Sequence, residues 1–371
     1  MRLLHVDTLE LHEFFDDQIP PYAILSHRWE QDEVSHKDVR KRQNLSSRGW
    51  QKVRNFCQLV RREEPDLDYA WMDTCCIDKR SSAELSEAIN SMYKWYRKAR
   101  VCFAYLSDVD RYSPDSAGRG AFMNSVWFTR GWTLQELIAP KSLCFVSSDW
   151  LTIIGTKETL AGPIADVTRI DKNLVESSVF DSVLRHCSIA RRMSWASARV
   201  CAREEDQAYC LLGLFDVNMP LLYGEGGEQA FIRLQTEILK ISDDESIFAW
   251  AFDDPRNYIP TGMLARSPRQ FRHANNIIRH GFTTRSDYVM TNKGLKFEAI
   301  MGKKSHLMYF ALNCCEHPVR EKKPFMVFIV KLDNRYMRCE PNPEEIKQGI
   351  ELSFVARLLA GRPQTFYITG L

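Results

Sequence analysis

The sequence predicts an α/β fold, a mainly parallel sheet with flanking helices, followed by a helical region and a small antiparallel β domain. Three observations carry this expectation. In the first half, short apolar runs alternate with amphipathic stretches, the pattern of βαβ units around a parallel sheet. From Leu151 to Trp250 the helical period dominates. Beyond Trp250, β-rich runs alternate with polar turns. The expected divisions are therefore 1–150, 151–250 and 251–371.

Taken in order, Tyr22 to Leu25 predicts the first strand, a stretch near Trp50 to Arg62 a helix, and Tyr69 to Asp73 a second strand that breaks over Thr74 to Asp78. Ser81 opens the clearest helix. With Glu84 three residues on it reads as a capping box, and Leu85, Ile89, Met92, Tyr96 and Ala99 recur at helical spacing. Glu84 and Glu87 near its start, and Arg97, Lys98 and Arg100 near its end, suit the helix dipole. Val101 to Leu106 is a continuous apolar run, as a strand buried on both faces requires. The segment Ser107 to Asn124, rich in Asp, Ser and Gly, reads as a loop able to cover a site. Gly131 to Ile138 predicts a short helix stopped at Pro140, and Leu143 to Val146 a last strand, closing the unit near Trp150.

Helical spacing continues through Ile189, Met193 and Ala196, through Ala208, Leu211 and Leu212, and through Ala230, Ile232, Leu234 and Ile238. Asn218 to Gly226 reads as a turn from its Pro and Gly content. Phe297 to Ile300, Leu307 to Leu312, Phe325 to Leu332 and Thr365 to Thr369 supply the β-rich end.

Composition narrows the function. Fifty basic against 48 acidic residues give a net charge of +2, which offers no electrostatic reason to expect nucleic acid or an anionic membrane as partner. No apolar run reaches the ~18 residues of a membrane span. The start MRLLHVDTLELHEFF has neither a basic nor a long apolar segment of the kind that directs export, so a cytoplasmic setting is expected. The 11 cysteines should then be reduced, and with no CxxC pair no zinc site is implied.

Three clusters fall where an α/β sheet places its ligand, just past the carboxyl ends of strands. They are Ser26-His27-Arg28-Trp29, Asp73 to Asp78 with Ile77 inside it, and Arg130 to Glu136 with Trp132 inside it. Each has a plainer reading: His27 and Arg28 as loop caps facing solvent, Asp73 and Asp78 as turn formers. Glu136, at ~100° per residue, lies near Trp132 and away from the stripe of Leu134, Leu137 and Ile138. Beside an indole, partial burial would raise its pKa, and the ring would give a flat ligand a stacking wall. An ordinary exposed helical glutamate fits the same spacing.

YAILSHRW, WMDTCCIDK followed by ELSEAINSMYKWYRKA, and FTRGWTLQELIAP resemble the successive motif blocks of the fungal heterokaryon incompatibility (HET) domain, in order and at matching separations. MSWASARVCAREEDQAYCLLGLFDVNMPLLYGEGGEQAFIRLQ resembles the segment that commonly follows it. HET domains are in turn similar to TIR domains, which implies a flavodoxin-like sheet. AILSHRW, WMDTCCIDK and VCFAYLSD resemble the first three TIR strands with their loops, and GWTLQEL the tryptophan-containing helix bearing the TIR catalytic glutamate. The resemblance thus implies Glu136 as catalytic and NAD+ as substrate, cleaved at the nicotinamide ribosyl bond, with no cofactor. It implies Ser26, His27, Arg28, Trp29, Asp73, Ile77, Asp78, Arg130 and Trp132 around the substrate. Trp29 or Trp132 would stack on a ring and Arg28 pair with pyrophosphate. His27 departs from the aromatic or arginine residues usual in the TIR loop, so a related nucleotide stays open as substrate.

Among other chemistries, no GxxxxGK[ST] is present and MGKKS at Met301 lacks the upstream glycine, which argues against a P-loop; no GxGxxG follows a strand. A cysteine hydrolase built on Cys75 or Cys76 with His27 is set against the commoner use of paired cysteines in packing. The remaining alternative is a non-enzymatic signalling module that self-associates and recruits partners. The expected partners are therefore a nucleotide, further copies of the chain and an upstream signalling protein.

Overall fold

The computed structural model describes residues 1–110, 116–177, 183–253, 260–281, 287–304, 307–317, 324–332, 335–340 and 363–369. They form two compact units. The first runs from Met1 to Leu184 and also takes in Arg199–Ala202 and Tyr209–Leu221; the second comprises Arg185–Ala198, Arg203–Ala208 and Leu222–Leu371. The stretch 151–250 is therefore shared between them.

The first unit contains, in chain order, β1 (Arg2–His5), β2 (Leu11–Glu13), β3 (Tyr22–His27), α1 (His36–Lys41), α2 (Arg48–Glu63), β4 (Tyr69–Trp71), α3 (Asp73–Cys76), α4 (Ser82–Lys98), β5 (Val101–Tyr105), α5 (Ser116–Met123), α6 (Thr133–Ile138), β6 (Leu143–Val146) and β7 (Ile153–Thr156). Its strands stand in the order β2-β1-β4-β3-β5-β6-β7. The inner four, β4-β3-β5-β6, are parallel, whereas β1, β2 and β7 pair antiparallel at the edges. In chain order the parallel strands thus lie second, first, third, fourth. The connections leave β3 in opposite directions, which puts the topological switch point, where open α/β sheets hold ligands, at the carboxyl ends of β3 and β5.

Every residue of β3 and β5 is buried, as strands covered on both faces must be. Trp50, Val53, Phe56 and Val60 recur on the buried face of α2, and the Phe56 ring meets Phe103 of β5 edge-on at 6.4 Å. Each such side chain contributes about 1.5–3 kcal/mol on burial. Helix α4 begins as its cap predicts, with the Glu84 amide donating to Ser81 Oγ at 3.3 Å. The other half of the box is diverted. The Glu84 carboxylate accepts from the Asp78 amide at 2.7 Å and pairs with Arg2.

Several expectations need correction. The second strand stops at Trp71, because Asp73 opens the helical turn α3, where an acidic residue is favoured in the first turn. The expected loop Ser107 to Asn124 contains α5, and its residues 111–115 lie outside the described ones. The edge strands β1, β2 and β7 were not expected. At three or four residues each, they are too short to display a strand period.

In the second unit, Ile189–Ser194 and Gly227–Leu239 are helical. The strands β8 (Ile277–Arg279), β9 (Val289–Thr291), β10 (Gly294–Ala299), β11 (Gly302–Lys304), β12 (Leu307–Glu316), β13 (Pro324–Leu332), β14 (Arg335–Cys339) and β15 (Gln364–Ile368) make a separate, largely antiparallel sheet. The expected α/β sheet and the expected antiparallel sheet are thus both present. None of the 11 cysteines forms a disulfide. Among the described residues, no helix is long and apolar enough to cross a membrane, and no cluster of His, Cys, Asp and Glu has the arrangement of a metal site.

Candidate functional site

Two adjacent residues at the end of β3 organise the switch point. Successive residues of a strand face opposite sides, so Ser26 and His27 gather different partners.

Ser26 Oγ donates to Glu136 Oε2 at 2.5 Å and accepts from the Trp127 indole Nε1 at 2.8 Å. Glu136 is 9% exposed and sits on α6, whose six residues are all buried. Tyr96 of α4 lies beside the same carboxyl and donates its own hydroxyl to the Leu25 carbonyl at 2.9 Å. Burial pushes the Glu136 carboxyl up to about 8; the Ser26 hydrogen bond opposes this, and the nearby Asp73 charge adds to it. At neutral pH these surroundings therefore keep Glu136 mostly protonated.

His27 Nε2 meets Asp73 Oδ1 at 3.1 Å, and the Trp29 indole donates to Asp73 Oδ2 at 2.8 Å. Lys79 completes this group, its ammonium 3.8 Å from Asp73 Oδ2 and 3.3 Å from the centroid of the Trp29 ring. Burial alone would raise the Asp73 carboxyl. The Lys79 charge and the hydrogen bonds from His27 and Trp29 outweigh it and hold Asp73 at about 2. Since an ionised carboxylate only accepts, the contact makes Nε2 the protonated nitrogen of His27. Trp29 is 48% exposed and presents its ring at the surface.

Ser26 is thus brought to Glu136, and His27 and Trp29 to Asp73; the charge of Asp73 links the two groups, and Arg130 also acts on Glu136 through its charge. Arg28 is exposed and Ile77 is buried. Asp78 accepts from Arg80 Nε at 2.9 Å and lies 3.4 Å from His36 Nδ1; the Arg80 hydrogen bond holds it well below the usual carboxylate range. Glu136 stands one turn from Trp132 as expected, its amide 3.5 Å from the Trp132 carbonyl, but it does not leave the core. A helix of six buried residues has no exposed side, and the indole tied to Glu136 through Ser26 is that of Trp127. Trp127, Tyr96 and Lys79 were missed as site residues, although Tyr96 belongs to the predicted apolar stripe of α4. Cys75 is buried, and its neighbour Cys76 together with that burial raises its thiol well above the usual range, the opposite of an activated nucleophile.

The 3-10 helix Val126–Thr129, which carries Trp127, and the loop from it into α6 are fixed by a distant segment. The Val200 amide donates to the Thr129 carbonyl at 2.7 Å, and the Gly131 amide to the Val200 carbonyl at 3.0 Å. Gly131 permits this approach, since a Cβ there would lie 2.3 Å from Cys201 Sγ.

The profile of the heterokaryon incompatibility protein (HET) family matches residues 22–119, which include β3 to β5 with Ser26, His27, Trp29 and Asp73 but end before Glu136. The chain is 45% identical over 246 residues to the vegetative incompatibility protein HET-E-1 of Podospora anserina, a match covering 65% of this chain and 18% of that protein. The chain therefore spans less than a fifth of the length of this relative. No solved structure matches the chain significantly. On the family match and this relative, the chain carries a heterokaryon incompatibility (HET) domain.

Proposed function

We propose that this chain is an effector of incompatibility and cell death that hydrolyses NAD+, or a related nucleotide, at the nicotinamide N-glycosidic bond. The observation that carries the reading is the Glu136 carboxyl bonded to Ser26 at the switch point of a parallel sheet. The order of the four parallel strands also supports the TIR-like comparison.

Nicotinamide leaves as a neutral molecule from a cationic glycoside, so no general acid is required, unlike in ordinary glycosidases with paired carboxylates. What the reaction needs is negative charge beside the ribose as positive charge shifts onto it. Ionised Glu136 would supply that charge. Its proton is lost more readily once a cationic ring is bound, because the ring's charge favours the carboxylate. The rate at low substrate should therefore rise with pH through about 8, where Glu136 ionises, and level off above it. The exposed Trp29 face offers a stacking surface for a flat ring.

A second reading has one observation in its favour: Glu136 is almost fully buried with its Ser26 bond made, as a purely structural carboxyl would be. In that case the domain is a scaffold that self-associates and recruits partners. We infer that assembly of several copies switches the enzyme on, so turnover per molecule should climb with protein concentration. The test is release of free nicotinamide from NAD+ by assembled wild-type protein and by Glu136→Gln. The enzymatic reading expects a loss of at least about 100-fold in the variant. Equal release by both proteins would remove Glu136 from the mechanism; no release by either would leave the scaffold.

A further inference from the structure

Arg199 is 63 positions from Glu136 in the sequence and outside the matched residues 22–119. The tip of its guanidinium is nevertheless buried against the loop that enters α6. Nη1 donates to the Arg130 carbonyl at 2.8 Å and to Thr133 Oγ1 at 3.0 Å. The Thr133 hydroxyl in turn donates a hydrogen bond to the Trp127 carbonyl at 2.6 Å. One guanidinium therefore ties together the first residue of α6, the turn before it and the residue whose indole binds Ser26. Both partners of the Ser26 hydroxyl, Trp127 and Glu136, hang from this one loop.

We propose that Arg199 is a positioning residue, which sets the loop from Trp127 to Thr133 so that the Glu136 carboxyl and the Trp127 indole converge on Ser26. This inference rests on reading Glu136 as the acting carboxylate. Both bonds leave Nη1, whose two N–H groups are fixed in the guanidinium plane, whereas the N–H groups of a lysine ammonium rotate freely on a flexible stem. The pair of backbone hydrogen bonds between Val200 and the Thr129–Gly131 turn holds the Arg199 backbone in register for that task. The guanidinium and the Glu136 carboxyl also interact through their charges, so the same residue favours ionised Glu136.

The test uses the full chain as wild type, Arg199→Gln, Arg199→Lys and, as a control for lost stability, Val60→Ala, a cavity in the buried face of α2. Nicotinamide release from NAD+ is followed across pH for kcat and KM. Arg199→Gln should lower kcat about 100-fold, the cost of a small displacement of a reacting group, with KM within about threefold. Its pH profile should move to higher pH, and Arg199→Lys should restore part of the loss. Val60→Ala should keep the wild-type kcat and profile. An unchanged kcat in Arg199→Gln, or an equal fall in Val60→Ala, overturns the proposal. If the wild type releases no nicotinamide, the enzymatic reading fails and the positioning claim is read from the ¹³C titration of the Glu136 carboxyl. A midpoint that rises in Arg199→Gln and not in Val60→Ala supports it, and an unmoved midpoint overturns it.

Discussion

Replacing Glu136 by Gln should reshape the pH dependence of stability in a way that few single substitutions can. In the folded protein burial holds this carboxyl at about 8, against 4.5 for an unperturbed glutamate. A folded-state value above the unfolded one means that the folded state binds the proton more tightly. The stability linked to this group is therefore complete below about 4.5, declines as pH rises, and levels off above about 8. Each tenfold in proton affinity is worth about 1.4 kcal/mol, so the full span is roughly 5 kcal/mol, of which about 3 is lost by pH 7. Glutamine keeps the shape, and its carbonyl still accepts from Ser26, but it cannot ionise. The difference in stability between Glu136→Gln and wild type should thus shift by about 3 kcal/mol in favour of the variant between pH 4 and pH 7. Urea unfolding of both proteins across that range measures the shift. The ¹³C titration of the carboxyl, assigned by its absence in the variant, locates the midpoint directly. Parallel stability profiles, or a midpoint near 4.5, would refute the argument that burial dominates over the Ser26 hydrogen bond.

Asp73 should behave in the opposite sense. Its folded value of about 2 lies below the usual 3.8, so its contribution is present above 3.8 and is lost as pH falls through about 2. Asp73→Asn should cost about 2 kcal/mol at neutral pH. By removing a like charge it should also lower the Glu136 midpoint, and a midpoint that stays or rises in the NMR titration would exclude the coupling. Gly131→Ala places a Cβ 2.3 Å from Cys201 Sγ and 3.1 Å from Cys210 Sγ, so the loop or the sulfur-bearing segment must move. The expected cost is about 1–3 kcal/mol of overpacking, with faster amide exchange over residues 127–139; unchanged exchange there would show that the contact does not fix α6.

Much of the first unit could be read locally. β3, β5 and β6 announce themselves as apolar runs, and α4 by its stripe and its Ser81 cap, because these signals depend on residues a few positions apart. The same is true of the site's address. Ser26 and Asp73 are readable as strand-end residues once their strands are recognised, and Glu136 as a polar residue on the short helix before the last parallel strand. Family resemblance, not spacing, singled out Glu136 from other helical glutamates.

Local residue patterns thus fix the alternation of strands and helices, the separate β-rich end, and which polar residues stand at the carboxyl ends of strands. The rest depends on contacts between segments far apart in the chain. The Ser26–Glu136 bond joins residues 110 apart, the Trp127–Ser26 bond residues 101 apart, and the Arg199–Thr133 bond residues 66 apart. The expectation that Glu136 turns away from the core rested on helical period. That period loses its meaning in a six-residue helix buried on every side. A period reports burial only where one side of a helix meets water; where packing encloses it, partners are chosen by the strands and segments that close around it, and no local spacing records them.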